Sequence, residues 1–286
     1  MKTALLFSGQ GERGLLSAVQ KELGNESPLL KRALRIIDCS IDSLISNGGR
    51  ALEHSYILQP VLTAISLTQA ARLKDQGLEA DYFAGHSLGE LAAWSFAGAI
   101  SPEKAVELAA LQGRGTTRVA QSQKGGMLAL TNIDEAGLHK ILAIGKEKGQ
   151  LSVGAFNSPQ EMVLTGSLQA LKVVAPLCQS RRLNVEGAWH SPLMEEAKPE
   201  FAAALSYVQI GQYIRPVVSG LDGECITDPQ EIRPRLIEQL TKPLLWTTVI
   251  SKMASLGVEQ FVVAGTGRVL RYLIYKNLQG IKASVV

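Results

Sequence analysis

Phe83-Ala84-Gly85-His86-Ser87-Leu88-Gly89-Glu90-Leu91 is the stretch that decides the fold. It contains Gly-x-Ser-x-Gly between a strand-like lead-in and a helix-like continuation. The flanking glycines allow a sharp turn that side chains would block, so the hydroxyl of Ser87 can stand clear of a sheet. A helix that begins after Ser87 also leaves N–H groups free, that of Leu88 first, where an oxyanion would form. The stretch predicts a nucleophile elbow, although the pentapeptide can also arise by chance in a chain with 27 glycines.

The composition is that of a globular protein. With 286 residues, 46% of them hydrophobic and 19% charged, the chain can bury a core as one large domain or as a domain with an insertion. The N-terminal apolar run ends at Ser8 without a cleavage site, which favours a buried first strand over a signal peptide. No apolar stretch reaches the length of a transmembrane helix. We therefore expect a cytoplasmic protein without a membrane partner.

Cysteine content and charge exclude further classes. Cys39, Cys178 and Cys225 are odd in number and far apart, which argues against a disulfide framework and offers no metal-ligand spacing. The net charge of +3 is mild, and no basic cluster alternates with aromatic residues as a nucleic-acid surface requires. We expect no metal and no nucleic-acid partner, and the charge at most favours an acidic partner.

Strands and helices alternate on both sides of the elbow. Before residue 125 the pattern predicts strands at 3–7 and 82–84 and helices at 15–23, 29–45, 61–76 and from Ser101 onward. After residue 188 it predicts helices at 192–205, 232–240, 249–256 and 269–277 and strands at 217–218 and 261–263. We predict an α/β fold with an α/β-hydrolase-like large domain that comprises residues 1–124 and 189–286.

The segment between these two parts has a different pattern. It predicts strands at 127–130, 151–156, 162–165 and 183–185 and helices at 135–146 and 168–179. The resulting order β-α-β-β-α-β within about 60 residues is that of the ferredoxin-like motif. We predict a ferredoxin-like small domain, residues 125–188, inserted into the large one.

A serine hydroxyl needs a neighbouring base to become a nucleophile. Of the four histidines, His86 adjoins Ser87 and should point the other way at the turn, while His54 and His139 lie in segments expected to be exposed. His190, in the loop where the chain re-enters the large domain, is the best candidate. A lone loop histidine is more often solvated or locally bonded, and sequence order alone does not bring His190 to Ser87.

Six motifs follow one another along the chain: Gly9-Gln10-Gly11, Gln59-Pro60, Gly85-His86-Ser87-Leu88-Gly89-Glu90, Phe156-Asn157-Ser158-Pro159, His190 and Pro243-x-x-Trp246. Their order resembles that of the malonyl-CoA:acyl-carrier-protein acyltransferase family, in particular its freestanding, trans-acting polyketide synthase members. The resemblance covers nearly the whole chain, including the predicted insertion. It implies an enzyme of fatty-acid or polyketide synthesis that acts on acyl thioesters.

The resemblance also implies roles for individual residues. Ser87 would be the nucleophile and His190 the general base and later the acid, with the carbonyl of Gln239 holding the His190 tautomer in place of a carboxylate. The N–H groups of Gln10 and Leu88 would form the oxyanion hole. Substrate contacts would come from Gln59, His86, Gln112, Asn157 and Trp189.

The same resemblance names substrates and partners. The substrate would be an acyl thioester of CoA or of the phosphopantetheine of an acyl carrier protein, and the carrier protein would be the partner. No metal or redox cofactor is implied, and we expect a monomer.

The chain departs from the family pattern near the end of the helix that starts at Ser101. Malonyl-specific members have an Arg followed by Gly there, and this Arg pairs with the free carboxylate of the malonyl group. Ungapped counting from either side places Gln112-Gly113 at this position, and Gln cannot neutralise a buried carboxylate. A shift of the alignment by two residues would place Arg114 at this position, but two residues correspond to about 200° of rotation around the helix, away from the pocket. Arg13, in the first loop, could also supply a cation.

A second departure is Trp189, which precedes His190 where the family has Phe or Ser, and which either reshapes the acyl pocket or packs its floor. From both departures we predict an editing acyl hydrolase of polyketide biosynthesis that hydrolyses or transfers non-malonyl acyl groups through acyl-Ser87. The alternative is a malonyl-CoA:acyl-carrier-protein transacylase that tolerates Gln112. A catalytically inactive scaffold that binds a carrier protein is disfavoured because Ser87, His190, Gln10 and Gln239 are all present.

Overall fold

The computed structural model describes residues 1–11, 14–281 and 283–286. In this part of the chain the strands are β1 (Lys2–Phe7), β2 (Tyr82–Gly85), β3 (Gly125–Thr131), β4 (Leu151–Ser158), β5 (Glu161–Ser167), β6 (Ser180–Arg182), β7 (Val217–Val218), β8 (Cys225–Ile226), β9 (Val258–Ala264) and β10 (Ser284–Val285).

The α-helices of the described residues are α1 (Leu15–Gly24), α2 (Pro28–Ile36), α3 (Ile41–Ile45), α4 (Ser55–Asp75), α5 (Gly89–Phe96), α6 (Pro102–Gln123), α7 (Glu135–Lys146), α8 (Leu168–Val174), α9 (Lys198–Ser206), α10 (Ile232–Glu238), α11 (Trp246–Ser255) and α12 (Arg268–Asn277). Short 3₁₀ turns connect several of them.

The larger sheet has the order β10-β9-β1-β2-β7-β8, and its strands are parallel except for the β7–β8 pair. Residues of β1 alternate between two hydrophobic cores, since Leu5 and Phe7 belong to one and Ala4 and Leu6 to the other. Helices α4, α5 and α6 cover the first core, and α11 and α12 cover the second. A parallel sheet covered by helices on both faces is an α/β fold, as predicted.

The carboxyl ends of β1 and β2 lie side by side, with Phe7 paired to Gly85. The loop after β1 and the turn after β2 therefore leave the sheet at the same edge. This is the edge at which open parallel sheets bind ligands.

The smaller sheet is antiparallel, with the order β4-β5-β3-β6. Helices α7 and α8 contribute Leu138, Ile141, Leu171 and Val174 to a separate core against it. The order β-α-β-β-α-β is as predicted, but the last strand lies at Ser180–Arg182, not at 183–185. The division into residues 1–124 with 189–286 and residues 125–188 stays a prediction.

Two predicted helices begin or end elsewhere. The predicted helix at 29–45 is two helices, because Asp38 has a φ of +49° and Ser40 caps a new helix with its side chain. The helix predicted from Val61 already begins at Ser55, so Pro60 lies inside it. Its first N–H group, that of Ser55, donates to the carboxylate of Glu186 over 2.7 Å. This partner is distant in sequence, which is why the local pattern misplaces the helix start.

Proline accounts for two further differences. The helix predicted at 168–179 ends at Val174 and continues as a 3₁₀ turn that contains Pro176. The helix predicted at 192–205 begins as a 3₁₀ segment, Pro192–Ala197, before α9. The predicted strands and helices elsewhere agree with the structure to within a few residues.

Main-chain hydrogen bonds connect β4 to Leu244, which lies between α10 and α11. The N–H of Leu244 donates to the carbonyl of Gly154 over 2.9 Å, and the N–H of Phe156 donates to the carbonyl of Leu244 over 2.8 Å. Leu244 thus forms an isolated parallel bridge with Ala155 of β4. Among the described residues, no helix combines the length and apolar character needed to cross a membrane.

Candidate active site

The elbow places Ser87 between β2 and α5. Ser87 has a φ of +54°, in the left-handed region that a non-glycine residue rarely adopts. A Cβ atom added at Gly85 would clash with the backbone of Gly89, and one added at Gly89 would clash with the carbonyl of Phe7. The two glycines are therefore required by close backbone packing, and this packing holds Ser87 in its strained conformation.

The structure brings His190 to Ser87. The Oγ atom of Ser87 lies 2.6 Å from Nε2 of His190, although the two residues are 103 positions apart. His190 also has a positive φ, +58°, and only 8% of its surface is exposed. The distance is that of a hydrogen bond between a nucleophile and a base.

Backbone carbonyls orient the imidazole ring. Nδ1 of His190 lies 2.9 Å from the carbonyl oxygen of Gln239 and 3.2 Å from that of Lys242. Both partners are acceptors, so Nδ1 carries the proton and Nε2 is free to accept one from Ser87. Gln239 was expected in this role from the family resemblance. The role of Lys242 was not predicted, because every residue has a backbone carbonyl and the residue type does not indicate which one accepts a hydrogen bond.

The charge state of His190 suits a base. Burial lowers the pKa of His190 below its usual 6.5, and the hydrogen bonds to Gln239 and Lys242 offset part of this effect. The ring is therefore neutral at neutral pH, as proton abstraction requires.

Leu88 and Gln10 both line the space beside Ser87. Within the described residues, the N–H groups of Leu88 and Gln10 donate no hydrogen bond to another part of the protein. The loop of Gln10 lies directly against the elbow, since a Cβ at Gly9 would clash with the carbonyl of His86. The side chain of Gln10 anchors the loop by donating to Oγ of Ser55 over 3.1 Å. These positions fit the predicted oxyanion hole.

A small cavity of about 30 Å³ opens beside the Ser87 hydroxyl, with room for about two water molecules. None of its described lining residues is Lys or Arg; besides the residues already described, the lining comprises Gln59, Gln112, Thr116, Trp189, Met194 and Leu240. The hydroxyl of Thr116 donates to the carbonyl of Gln112 over 2.7 Å. The cavity lining thus combines polar and apolar side chains, and with His190 neutral it carries no charge among the described residues.

Of the two alternative cations, Arg114 does not change this description. Arg114 is exposed on α6 and does not line the cavity, which agrees with its predicted rotation away from it. Arg13 lies outside the described residues.

His86 and Asn157 contact each other and do not line this cavity. Nε2 of His86 lies 3.0 Å from Oδ1 of Asn157, whose Nδ2 donates to Glu161 over 2.9 Å. Burial lowers the pKa of His86 to about 4, so this ring is also neutral. Their predicted substrate contacts stay a prediction. His54 and His139 are exposed, as expected.

A serine elbow, a neutral histidine and two free N–H groups at the carboxyl edge of a parallel sheet are typical of enzymes that transfer acyl groups through a serine ester. The chain belongs to the acyl transferase family, since the family model described as the acyl transferase domain matches residues 28–214.

Individual relatives are more specific. The malonyl CoA-acyl carrier protein transacylase of Bacillus subtilis is 30% identical over 297 residues, which cover 100% of this chain and 93% of that protein. The polyketide biosynthesis protein ThaF of Burkholderia thailandensis is 30% identical over 285 residues, or 96% of this chain and 24% of ThaF. A malonyl-transacylase solved in complex with a type II polyketide synthase acyl-carrier protein is 26% identical, with a TM-score of 0.90 over 100% of this chain and 96% of that one. These similarities confirm the predicted family and fold class.

Proposed function

We propose that this acyltransferase moves an acyl group from the thiol of CoA to the phosphopantetheine thiol of an acyl carrier protein through an ester of Ser87. The observation that carries the proposal is the 2.6 Å contact between Ser87 Oγ and Nε2 of His190, whose Nδ1 is held by the carbonyl of Gln239. The names of the Bacillus relative and of the solved complex support the carrier protein as acceptor.

The first half-reaction forms the acyl-enzyme. Ser87 Oγ attacks the thioester carbonyl while its proton passes to Nε2 of His190. The N–H groups of Leu88 and Gln10 stabilise the oxyanion of the tetrahedral intermediate. Its collapse breaks the carbon–sulfur bond, and the departing thiolate takes the proton from His190. The second half-reaction is the reverse, with the carrier thiol giving its proton to His190 as its sulfur attacks the ester.

His190 works here without a carboxylate partner. The imidazolium formed in each step is stabilised by the carbonyl dipoles of Gln239 and Lys242, which accept from Nδ1. The pair of Ser87 and His190 is thus a catalytic dyad.

The acyl group itself is a separate question. The relatives are named for malonyl transfer, which makes malonyl-CoA the first donor to test. A second candidate function, hydrolysis or transfer of uncarboxylated acyl groups, is favoured by one observation, the uncharged lining around Gln112. A malonyl carboxylate in this cavity would have no described Lys or Arg to pair with, which costs free energy.

Loading and transfer are measured by intact mass. The protein is mixed with malonyl-CoA or acetyl-CoA, with and without a holo acyl carrier protein, and Ser87→Ala serves as the matched control. The proposal expects an acyl adduct on the wild-type chain that moves to the carrier, and no adduct on Ser87→Ala. Release of free acid faster than carrier loading supports hydrolysis instead, and the absence of any Ser87 adduct overturns both candidates.

A further inference from the structure

A buried carboxyl group lies behind Ser87 and His190. Glu90 is only 1% exposed, and no Lys or Arg among the described residues forms an ion pair with it. Burying an acid without a cation costs free energy, so an acid at such a position calls for an explanation.

The partners of this carboxyl are hydrogen-bond donors. Oε1 accepts from the hydroxyl of Ser219 over 3.0 Å, and Oε2 accepts from the N–H of Gly220 over 3.3 Å. Oε2 also accepts from Nε2 of Gln239. Three donors on two oxygens match an ionised carboxylate better than a neutral amide, because an amide at position 90 would present an NH₂ group to one of them.

Gln239 connects this carboxyl to the base. Its side chain is bound by Glu90, while its backbone carbonyl accepts from Nδ1 of His190 over 2.9 Å. The backbone of Glu90 is also tied to the elbow, since its N–H donates to the carbonyl of Ser87 over 2.9 Å. Glu90 therefore contacts both the loop of Ser87 and Gln239, whose carbonyl orients His190.

We infer that Glu90 is a positioning residue, whose carboxylate fixes Gln239 and thereby aims Nε2 of His190 at Ser87. The inference rests on the proposed function, because it assumes that His190 takes the proton of Ser87. Glu90 does not touch the cavity, so its effect is on the geometry of the dyad and not on substrate contacts.

The ionisation of Glu90, and with it this role, depends on pH near neutrality. Burial raises the pKa of Glu90 to about 7, against the hydrogen bonds from Ser219, Gly220 and Gln239, which favour the charged form. Its direct partners do not titrate in this range, and His190 is the nearest titratable group across Gln239. Glu238 and Lys242 flank Gln239 in sequence, but Lys242 is exposed and Glu238 pairs with Lys198 over 2.9 Å.

The test compares Ser87 acylation in three variants. The probe is p-nitrophenyl acetate, whose p-nitrophenolate release is followed between about pH 5 and pH 9, with the adduct located by peptide mass. Glu90→Gln removes the carboxylate at constant size, and the exchange Glu90→Gln with Gln239→Glu restores a carboxylate–amide pair in reversed order. Glu22→Gln is the matched control, because Glu22 is a fully buried acid paired with Arg72, far in sequence from the elbow and from His190.

We expect Glu90→Gln to slow acylation by about 10- to 100-fold with an unchanged KM, because a displaced base lowers the rate and not binding. Its pH profile should lose the rise near pH 7, the reciprocal exchange should regain most of the rate, and Glu22→Gln should stay within about twofold of wild type. An unchanged rate and profile in Glu90→Gln, or an exchange variant no faster than Glu90→Gln, overturns this inference alone. A wild-type chain that forms no Ser87 adduct overturns the proposed function, and this inference with it.

Discussion

The loops of Ser87 and His190 adopt the same strained backbone conformation by different means. Both residues have a positive φ, +54° and +58°. The elbow is held by close backbone packing, because Gly85 approaches the backbone of Gly89 and Gly89 approaches the carbonyl of Phe7, where a Cβ would clash. The loop of His190 is held from a distance, by the carbonyls of Gln239 and Lys242 and by the hydroxyl of Thr165, which donates to the carbonyl of Trp189 over 2.8 Å.

This difference determines what each loop tolerates. A turn held by tight backbone packing cannot fold when one atom is added, whereas a loop held by hydrogen bonds loses alignment before it loses structure. Substitutions in the elbow of Ser87 should therefore mainly lower the stability of the fold. Substitutions around His190 should mainly lower the rate of Ser87 acylation. Four predictions follow from this contrast, from the largest effect to the smallest.

Gly85→Ala should prevent folding or lower the free energy of unfolding by about 4 kcal/mol or more, because its Cβ clashes with the backbone of Gly89 and neither segment can move freely. Gly24→Ala is the control, since a Cβ at Gly24 meets nothing nearby. Urea unfolding of both variants measures the difference. Equal stability of the two would show that the elbow is not held by backbone packing.

His190→Gln should leave the free energy of unfolding nearly unchanged while it slows Ser87 acylation by about 1,000-fold, since the amide cannot act as a base. His139→Gln, at an exposed histidine on α7, should match wild type in both respects. Acylation by p-nitrophenyl acetate and thermal unfolding are measured on the same samples. A large loss of stability in His190→Gln would mean that this loop is packed like the elbow.

Glu90→Gln sharpens the comparison, because Glu90 contacts both the loop of Ser87 and Gln239, whose carbonyl orients His190. A pKa raised to about 7 means that the folded chain keeps a proton that the unfolded chain loses near pH 4.5, so wild-type stability falls as pH rises between these values. Relative to Glu90→Gln, wild type should lose about 1.4 kcal/mol of unfolding free energy per pH unit in this window. Urea titrations at several pH values measure it, and a constant difference would contradict the raised pKa.

Gln112→Arg tests the cavity that both loops border. An added cation should raise the ratio of malonyl to acetyl loading by about tenfold, which corresponds to about 1.4 kcal/mol. Gln121→Arg makes the same change at an exposed position of the same helix and should leave the ratio unchanged. Loading is read by intact mass, and an unchanged ratio in Gln112→Arg would place the selectivity elsewhere.

The contrast also explains how much could be predicted from the sequence. The elbow, the strands around it and helix α7 follow from local patterns, because glycine positions and hydrophobic periodicity act over a few residues. The contact of His190 with Ser87 was expected only through the family resemblance. It depends on how the chain folds between two residues that lie 103 positions apart, which local patterns do not reveal. The start of α4 and the role of Glu90 were not predicted, because Glu186 and Gln239 reach them from distant segments.

The acyl ester of Ser87 is the central claim, and rapid-quench peptide mapping tests it most directly. The protein is mixed with acetyl-CoA or malonyl-CoA in the presence of a holo acyl carrier protein, quenched at successive times and digested. The account predicts that the acyl group appears on the peptide containing Ser87 first and reaches the carrier afterwards at a matching rate. Carrier acylation at the same rate by Ser87→Ala, or an adduct on another residue, would contradict it.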